Sequence, residues 1–212
     1  AFEEDPLRVL RFARFKSYKQ LNDFDLHEET KVLFDKIVAS TELKDLSPER
    51  VWMETKKALE NNFSDKFFKT LIKYHLTDPW FKNLKSVSCN GDLPELKWAD
   101  MQRINCFQLS ASLPIPNSYI KVIDSLKLVI NFIESSNKSE KLRLLEKMNV
   151  RRNYEILMHC KQYESLNEHQ DYLEKIFKSV MAIDFSVLAN LSESEVSNQK
   201  QLLYYEALHE II

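Results

Sequence analysis

The chain has 212 residues and only one glycine, Gly91. Glycine-rich phosphate loops and dinucleotide-binding turns need several glycines at fixed spacing, because the backbone has to approach the ligand closely. Tight hairpins between strands depend on glycine as well. The sequence therefore argues against those nucleotide-binding loops and against a sheet-based fold, and it leaves helices as the main building element.

Apolar residues recur at three- and four-residue spacing along nearly the whole chain, which is typical of amphipathic helices. Pro6 suits a first helical turn, and Ser47 before Pro48 combines a cap with a first-turn proline. Further caps are expected at Ser64, Asn117 and Ser192. We predict an all-α fold, an irregular and elongated array of helices. The predicted helices cover residues 6–21, 27–39, 48–61, 65–75, 95–111, 117–135, 140–148, 151–163, 168–182 and 193–212.

The weakest helical pattern lies between residues 82 and 95, a stretch that contains Cys89, Gly91 and Pro94. Glycine and proline interrupt regular structure, so a connection between domains is expected here. We predict two domains, one covering residues 1–82 and the other residues 83–212.

Charge and cysteine content limit the classes of function. The 30 Lys and Arg residues are balanced by 32 Asp and Glu residues, so any nucleic acid would have to bind a local basic patch. Cys89, Cys106 and Cys160 form no CxxC pair, which indicates a reducing compartment, the cytoplasm, and argues against a structural zinc site. No segment has the uninterrupted apolar length of a membrane span, so no membrane partner is expected.

The N-terminal stretch "EEDPLRVLRFARF" (3–15) carries the densest chemistry. Side chains three and four residues apart share a helix face, which brings Glu4, Asp5 and Arg8 together. A purely structural interpretation is available, with Asp5 capping the helix and Arg8 in an exposed ion pair. However, Phe12 and Phe15 flank Arg8 on the helical wheel, so the helix is apolar nearly all round and expects contact on more than one side.

An aspartate–arginine pair can read the edge of a nucleobase. Cytosine and adenine each present an amino donor beside a ring-nitrogen acceptor, whereas uracil and guanine present a carbonyl beside an N–H. The Asp5 carboxylate would accept from the amino group and the Arg8 guanidinium would donate to the ring nitrogen. Such a pair would accept C or A and reject U and G, with each contact worth about 1–3 kcal/mol of discrimination.

The same residues carry a family resemblance. "EDPLRVLRFARF" (4–15) resembles the EDxxR neck motif of the class II tRNA nucleotidyltransferases, the CCA-adding enzymes, and of the related bacterial poly(A) polymerases. "LSPERVWMETKKAL" (46–59) resembles the ERxxxE motif that follows it, as Glu49, Arg50 and Glu54. The resemblance covers residues 2–81 and is thin beyond them.

The resemblance implies a role for each motif. Asp5 and Arg8 would be the template for incoming CTP or ATP, with Glu4 holding Arg8, and the ERxxxE motif would brace the neck. Residues 1–82 would form the neck domain, and residues 83–212 a helical body and tail that bind tRNA. In the family, an N-terminal head with a GG/GS signature and a DxD pair holds two magnesium ions. Neither signature is present, so we expect this chain to be a piece of a longer protein. We expect no metal site or cofactor in this chain, and we expect magnesium in the missing head.

Several other residues have two interpretations. "DFD" (23–25) spells DxD but falls where the family has a turn, so Asp23 and Asp25 are interpreted as surface residues. Arg11, and with less support Arg14, would contact the triphosphate or the tRNA end, or belong to a solvated stripe. His159 and Cys160 are adjacent, point in different directions on a helix, and are interpreted as core. The tryptophans interpreted as core anchors are Trp52, Trp80 and Trp98.

A second group of cations lies in "KLRLLEKMNVRRNYEILMHCK". Phosphate contacts on the tRNA body need only cations at such a helix-turn-helix corner. Interspersed glutamates dilute the charge, and a solvated face is the competing interpretation. The candidate RNA-binding residues are Lys141, Arg143, Lys147, Arg151 and Arg152.

The sequence thus predicts part of a tRNA nucleotidyltransferase that adds CCA to tRNA 3′ ends and is inactive without its head. Two alternatives stay open. One is a poly(A) polymerase that uses the same pocket for ATP alone. The other is a helical interaction module that binds no nucleotide.

Overall fold

The computed structural model describes residues 5–21, 23, 26–40, 42–109, 112–189 and 191–212. Ten α-helices and three short 3₁₀ helices account for the regular structure of these residues, which contain no strand, so the all-α prediction is confirmed. The α-helices are α1 (Leu7–Phe15), α2 (Glu28–Ser40), α3 (Pro48–Leu59), α4 (Ser64–Lys73), α5 (Pro94–Ile104), α6 (Asn117–Glu134), α7 (Lys138–Met148), α8 (Val150–Cys160), α9 (Gln170–Ala182) and α10 (Glu193–Leu208). None of these helices is long and apolar enough to cross a membrane.

The chain divides into two compact units, residues 1–120 and residues 121–212. The connection expected between residues 82 and 95 instead lies inside the first unit. The reason is packing: Trp98 of α5 is fully buried against the rings of Trp52 and Phe68, at centroid distances of 5.5 and 6.1 Å. The buried Lys97 ammonium also donates to the carbonyl of Leu59 at 3.1 Å, where α3 ends.

Side chains of α5 and of Asn105, the residue that follows it, hold the segment from residue 83 to residue 93 in place. The buried Asp100 carboxylate accepts from the Ser88 hydroxyl and from the Asn90 backbone N–H. The Asn105 side chain accepts from the backbone N–H groups of Lys85 and Ser86 at 2.9 and 3.1 Å. These side-chain hydrogen bonds satisfy backbone groups that no helix pairs. The segment is therefore fixed to α5 even though its sequence has no helical pattern.

Several helix ends differ from the sequence prediction, most clearly those of α1 and α5. Helix α1 ends at Phe15 and not near residue 21, because the Ser17 hydroxyl bonds back to the Arg14 carbonyl at 2.6 Å and competes with the helical pattern. Helix α5 ends at Ile104 and not at residue 111, because Cys106 and Phe107 both have φ of 56°, which a right-handed helix cannot contain. Ser64 is the first residue of α4 and not its cap.

Other start signals agree with the structure. Ser47 caps α3, with its side chain accepting from the Arg50 N–H at 3.4 Å and Pro48 in the first turn. Ser192 precedes α10, and the Glu195 carboxylate accepts from the Ser192 N–H at 3.0 Å. A serine cap with a glutamate three residues later, as in Ser192 and Glu195, is the arrangement of a capping box.

The second unit has its own apolar core between α7, α8, α9 and α10. Helices α8 and α9 pack against each other, and α10 packs on α9 and α7. The fully buried side chains at this junction include Leu145, Leu157, Cys160, Leu173, Phe177 and Val180. Burial of Cys160 agrees with its interpretation as a core residue.

Candidate functional site

The Asp5 carboxylate lies at the start of α1 and has two structural partners. One oxygen accepts from the Leu7 backbone N–H at 3.1 Å, so Asp5 also caps the helix. Both oxygens lie within reach of the Arg50 guanidinium of α3, at 3.0 and 2.9 Å. Arg8 is half-buried on the next turn, and its backbone N–H donates to the Asp5 carbonyl at 3.1 Å. Joint base reading by Asp5 and Arg8 stays a prediction, and Glu4 lies outside the described residues.

An open cavity of about 300 Å³ runs along one face of α1. It is lined by Arg8, Arg11, Phe12 and Phe15. These positions follow the spacing i, i+3, i+4 and i+7, so they form a single stripe on the helix. Phe12 is 7% exposed and packs edge-on against Phe34 at 5.4 Å, whereas Phe15 is 39% exposed. The stripe combines two cations with an accessible aromatic ring.

Arg14 does not continue this stripe. Steps of three residues drift by about 60° around a helix, so Arg14 lies about 120° from Arg8 and points into the protein. It is 8% exposed, and its guanidinium donates to the Glu54 carboxylate at 2.6 Å and to the Tyr18 hydroxyl at 2.6 Å. The interpretation of Arg14 as a contact for phosphate is therefore wrong for this structure.

The ERxxxE residues attach α3 to α1 at two points. Arg50 bonds Asp5 at the beginning of α1, and Glu54, one turn further along α3, bonds Arg14 near the end of α1. The first pair is exposed and the second is buried. Glu49 is exposed in the first turn of α3, where a carboxylate favours the helix dipole. The sequence identifies these residues by their motif but does not identify their partners, because the charge of each side chain is the only signal.

The five candidate RNA-binding residues of the second unit differ in their surroundings. The Lys141 ammonium lies over the rings of Phe132 and Tyr172, at 5.2 and 5.3 Å. Arg151 is fixed by the backbone carbonyls of Met181 and Ile183 and covers the Phe185 ring at 4.6 Å. Arg143, Lys147 and Arg152 are exposed, as is Arg151. The first three residues are available to an anionic ligand, whereas Lys141 and Arg151 also pack within the unit.

Metal-binding clusters and reactive cysteines are two further features that can mark a catalytic centre. No three His, Cys, Asp or Glu side chains in these residues converge in a way that could hold a metal ion, so they do not fit a two-magnesium site. Asp23 is an exposed turn residue, and Asp25 lies outside the described residues. Burial raises the pKa of the Cys160 thiol to about 12, and that of Cys89 to about 12, which keeps both protonated and poorly nucleophilic at neutral pH.

Comparison with known proteins finds similarity over part of the chain. Residues 23–87 match the family described as "Probable RNA and SrmB- binding site of polymerase A". The multifunctional CCA protein of Pseudoalteromonas atlantica is 43% identical over 99 residues, which is 46% of this chain and 24% of that protein. The CCA-adding enzyme of Alteromonas mediterranea is 43% identical over 86 residues, 41% of this chain and 22% of that enzyme. No solved structure matches the chain.

The extent of these matches defines what they show. The chain spans about a quarter of the length of the curated relatives it matches, and the matches involve less than half of its own residues. A further relative, the multifunctional CCA protein of Acinetobacter baumannii, is 49% identical over 71 residues, 34% of this chain and 17% of that protein. Through this shared segment, the chain is similar to a part of the CCA-adding enzymes.

Proposed function

We propose that the chain is the nucleotide-selecting and RNA-holding part of a tRNA nucleotidyltransferase, an enzyme that adds CCA to tRNA 3′ ends from CTP and ATP, in a reducing compartment such as the cytoplasm. The observation that carries this proposal is the open cavity lined by Arg8 and Arg11 on the cationic stripe of α1, one turn after Asp5. The relationship to the CCA-adding enzymes supports it independently.

The proposed selection uses the base edge that C and A share. The Asp5 carboxylate accepts from the exocyclic amino group, and Arg8 donates to the adjacent ring nitrogen. An ionised carboxylate can accept about four hydrogen bonds, so Arg50 and Leu7 leave capacity for a base. U and G would place a carbonyl against the carboxylate and an N–H against the guanidinium, leaving charged groups unpaired.

The bond-forming chemistry belongs to a separate head region in this proposal. Magnesium bound there would activate the primer hydroxyl and stabilise the triphosphate charge. The described residues of this chain do not fit such a centre, so their part is to select the nucleotide and hold the RNA. We therefore expect the 212-residue chain by itself to be catalytically inert.

The second unit supplies phosphate contacts in this proposal. Arg143, Lys147 and Arg152 are exposed on α7 and α8, where cations need only reach the RNA backbone. Such contacts hold the tRNA without reading its sequence and give a salt-dependent affinity. Nucleotide selection and tRNA binding would therefore reside in different units of the chain.

The test uses the whole protein that contains this chain. It is given a tRNA ending immediately before CCA, together with CTP and ATP, and the 3′ ends of the products are sequenced. We expect ends extended by CCA. A tail of A alone would support a poly(A) polymerase, and no extension of the tRNA by any nucleotide would support a helical interaction module.

A further inference from the structure

Phe15 combines exposure with rigidity on the stripe of α1. Its ring is 39% exposed although α1 buries Val9, Leu10 and Ala13 completely or almost completely. Exposed aromatic rings are usually free to rotate, but the Arg14 guanidinium lies over this ring at 4.7 Å from its centroid. The Phe15 ring is thus supported by a cation within its own helix.

The supporting cation is itself fixed. Arg14 is buried and bonds Glu54 and the Tyr18 hydroxyl, both at 2.6 Å. The Tyr18 ring lies 6.2 Å from the Phe15 ring, and the same guanidinium covers it at 5.6 Å. A buried ion pair therefore holds a two-ring aromatic layer at the end of α1.

The cavity beside α1 also has positively charged side chains in its walls. Arg8 and Arg11 line the same open space of about 300 Å³ as Phe15. Helical side chains lean toward the N-terminus, so the Phe15 ring approaches Arg11 and Arg8. An aromatic surface with cations beside it is the arrangement that binds a nucleobase and its phosphate without sequence preference.

We propose that the solvent-facing side of Phe15 is a stacking platform for a nucleobase whose phosphate contacts Arg11. This inference rests on the proposed function and adds a residue outside the EDxxR and ERxxxE motifs. Arg14, Glu54 and Tyr18 are positioning residues that hold the ring. The ligand is a nucleotide, either the incoming nucleoside triphosphate or the terminal nucleotide of the RNA.

The first experiment measures binding to the whole protein that contains this chain. The probes are ATP alone and a short RNA ending in CC, compared for wild type, F15L, F15A and F15Y. Loss of stacking weakens binding by about 5- to 150-fold. We expect that loss for F15L and F15A and near-normal binding for F15Y, because leucine keeps the apolar contact but has no ring face. The probe that loses affinity identifies which nucleotide stacks.

The second experiment measures tryptophan fluorescence, which would not respond to the probe if Phe15 had only a structural role. In F15W, the new indole should be quenched when the probe binds, whereas I72W, which replaces an exposed residue of α4, should show no added quenching. Thermal unfolding of each variant confirms that it is folded. A folded F15L protein with wild-type affinity for both probes, or F15W without quenching, would overturn the inference alone. Absence of binding to either probe by the wild-type protein would overturn the proposed function as well.

Discussion

At the scale of single residues, local surroundings decide which polar groups are available for chemistry. Arg8, Arg11 and Arg14 follow one another at three-residue steps, yet Arg14 is buried on Glu54 while Arg8 and Arg11 line an open cavity. Arg143 and Arg151 likewise lie on adjoining helices, and only Arg151 is fixed by backbone carbonyls. Sequence spacing placed these cations on helices but could not identify their partners.

Cysteine reactivity provides a prediction at this scale. Burial raises the pKa of Cys89 and Cys160 to about 12, so almost no thiolate is present near pH 8, while Cys106 is exposed. We expect native protein to incorporate one equivalent of iodoacetamide rapidly, at Cys106, and unfolded protein to incorporate three. Peptide mass spectrometry after timed quenching measures both. Fast labelling of Cys160 in native protein would contradict the burial described for α8.

At the scale of helices, α3 is attached to α1 by two ion pairs with different surroundings. The Asp5–Arg50 pair is exposed, and such pairs contribute about 0–1 kcal/mol. The Arg14–Glu54 pair is buried, and removing one partner leaves an uncompensated charge that costs about 3–5 kcal/mol. The two contacts are therefore expected to differ sharply in their effect on folding.

Two substitutions one turn apart on α3 test this difference. We expect E54A to lower the free energy of unfolding by about 3–5 kcal/mol and R50A to lower it by less than about 1 kcal/mol, measured by urea denaturation. The double variant R14M/E54L, which removes both charges, should recover most of the loss. Equal losses for E54A and R50A would show that the buried pair does not hold α1 against α3.

Helix positions were largely predictable, and their ends were not. The start of α3 follows from Ser47 and Pro48, because capping is local chemistry within four residues. The end of α5 depends on two left-handed residues, Cys106 and Phe107, and neither is a glycine that would mark such a bend. The prediction extended that helix because its apolar pattern continues after the backbone has turned.

Contacts between side chains far apart in the sequence could not be predicted either. Lys97 is buried because its ammonium meets the end of α3, at the carbonyls of Leu59 and Asn61. No local pattern distinguishes it from an exposed lysine. The contact between Asp5 and Arg50, which are 45 residues apart, could not be predicted from the sequence either. The sequence shows only that each residue belongs to a motif.

At the scale of the whole molecule, the chain has two compact units that would serve different parts of one reaction. The first carries the stripe of α1 and the segment related to the CCA-adding enzymes. The second carries the exposed cations of α7 and α8. The sequence pattern predicts a boundary near residue 82, because no local signal shows that α5 packs on α3 and α4.

Salt dependence separates the proposed RNA contacts from structural cations. Each phosphate contact adds about 0.7–0.9 to the slope of log affinity against log salt. The triple variant R143A/K147A/R152A should reduce that slope by about 2–3 for tRNA and leave thermal stability nearly unchanged. R151A should lower stability, because it leaves the carbonyls of Met181 and Ile183 without their donor. An unchanged slope in the triple variant would remove these residues from the RNA interface.

The central claim is that Asp5 and Arg8 select the nucleotide by its base edge. Its most direct test is the kcat/KM for single-nucleotide addition of CTP, ATP, UTP and GTP by the whole protein that contains this chain. We predict that wild type prefers CTP and ATP, and that R8A lowers use of both by about 5- to 150-fold. K36A, at an exposed position of α2, should behave as wild type. Unchanged addition of both CTP and ATP by R8A would contradict the account.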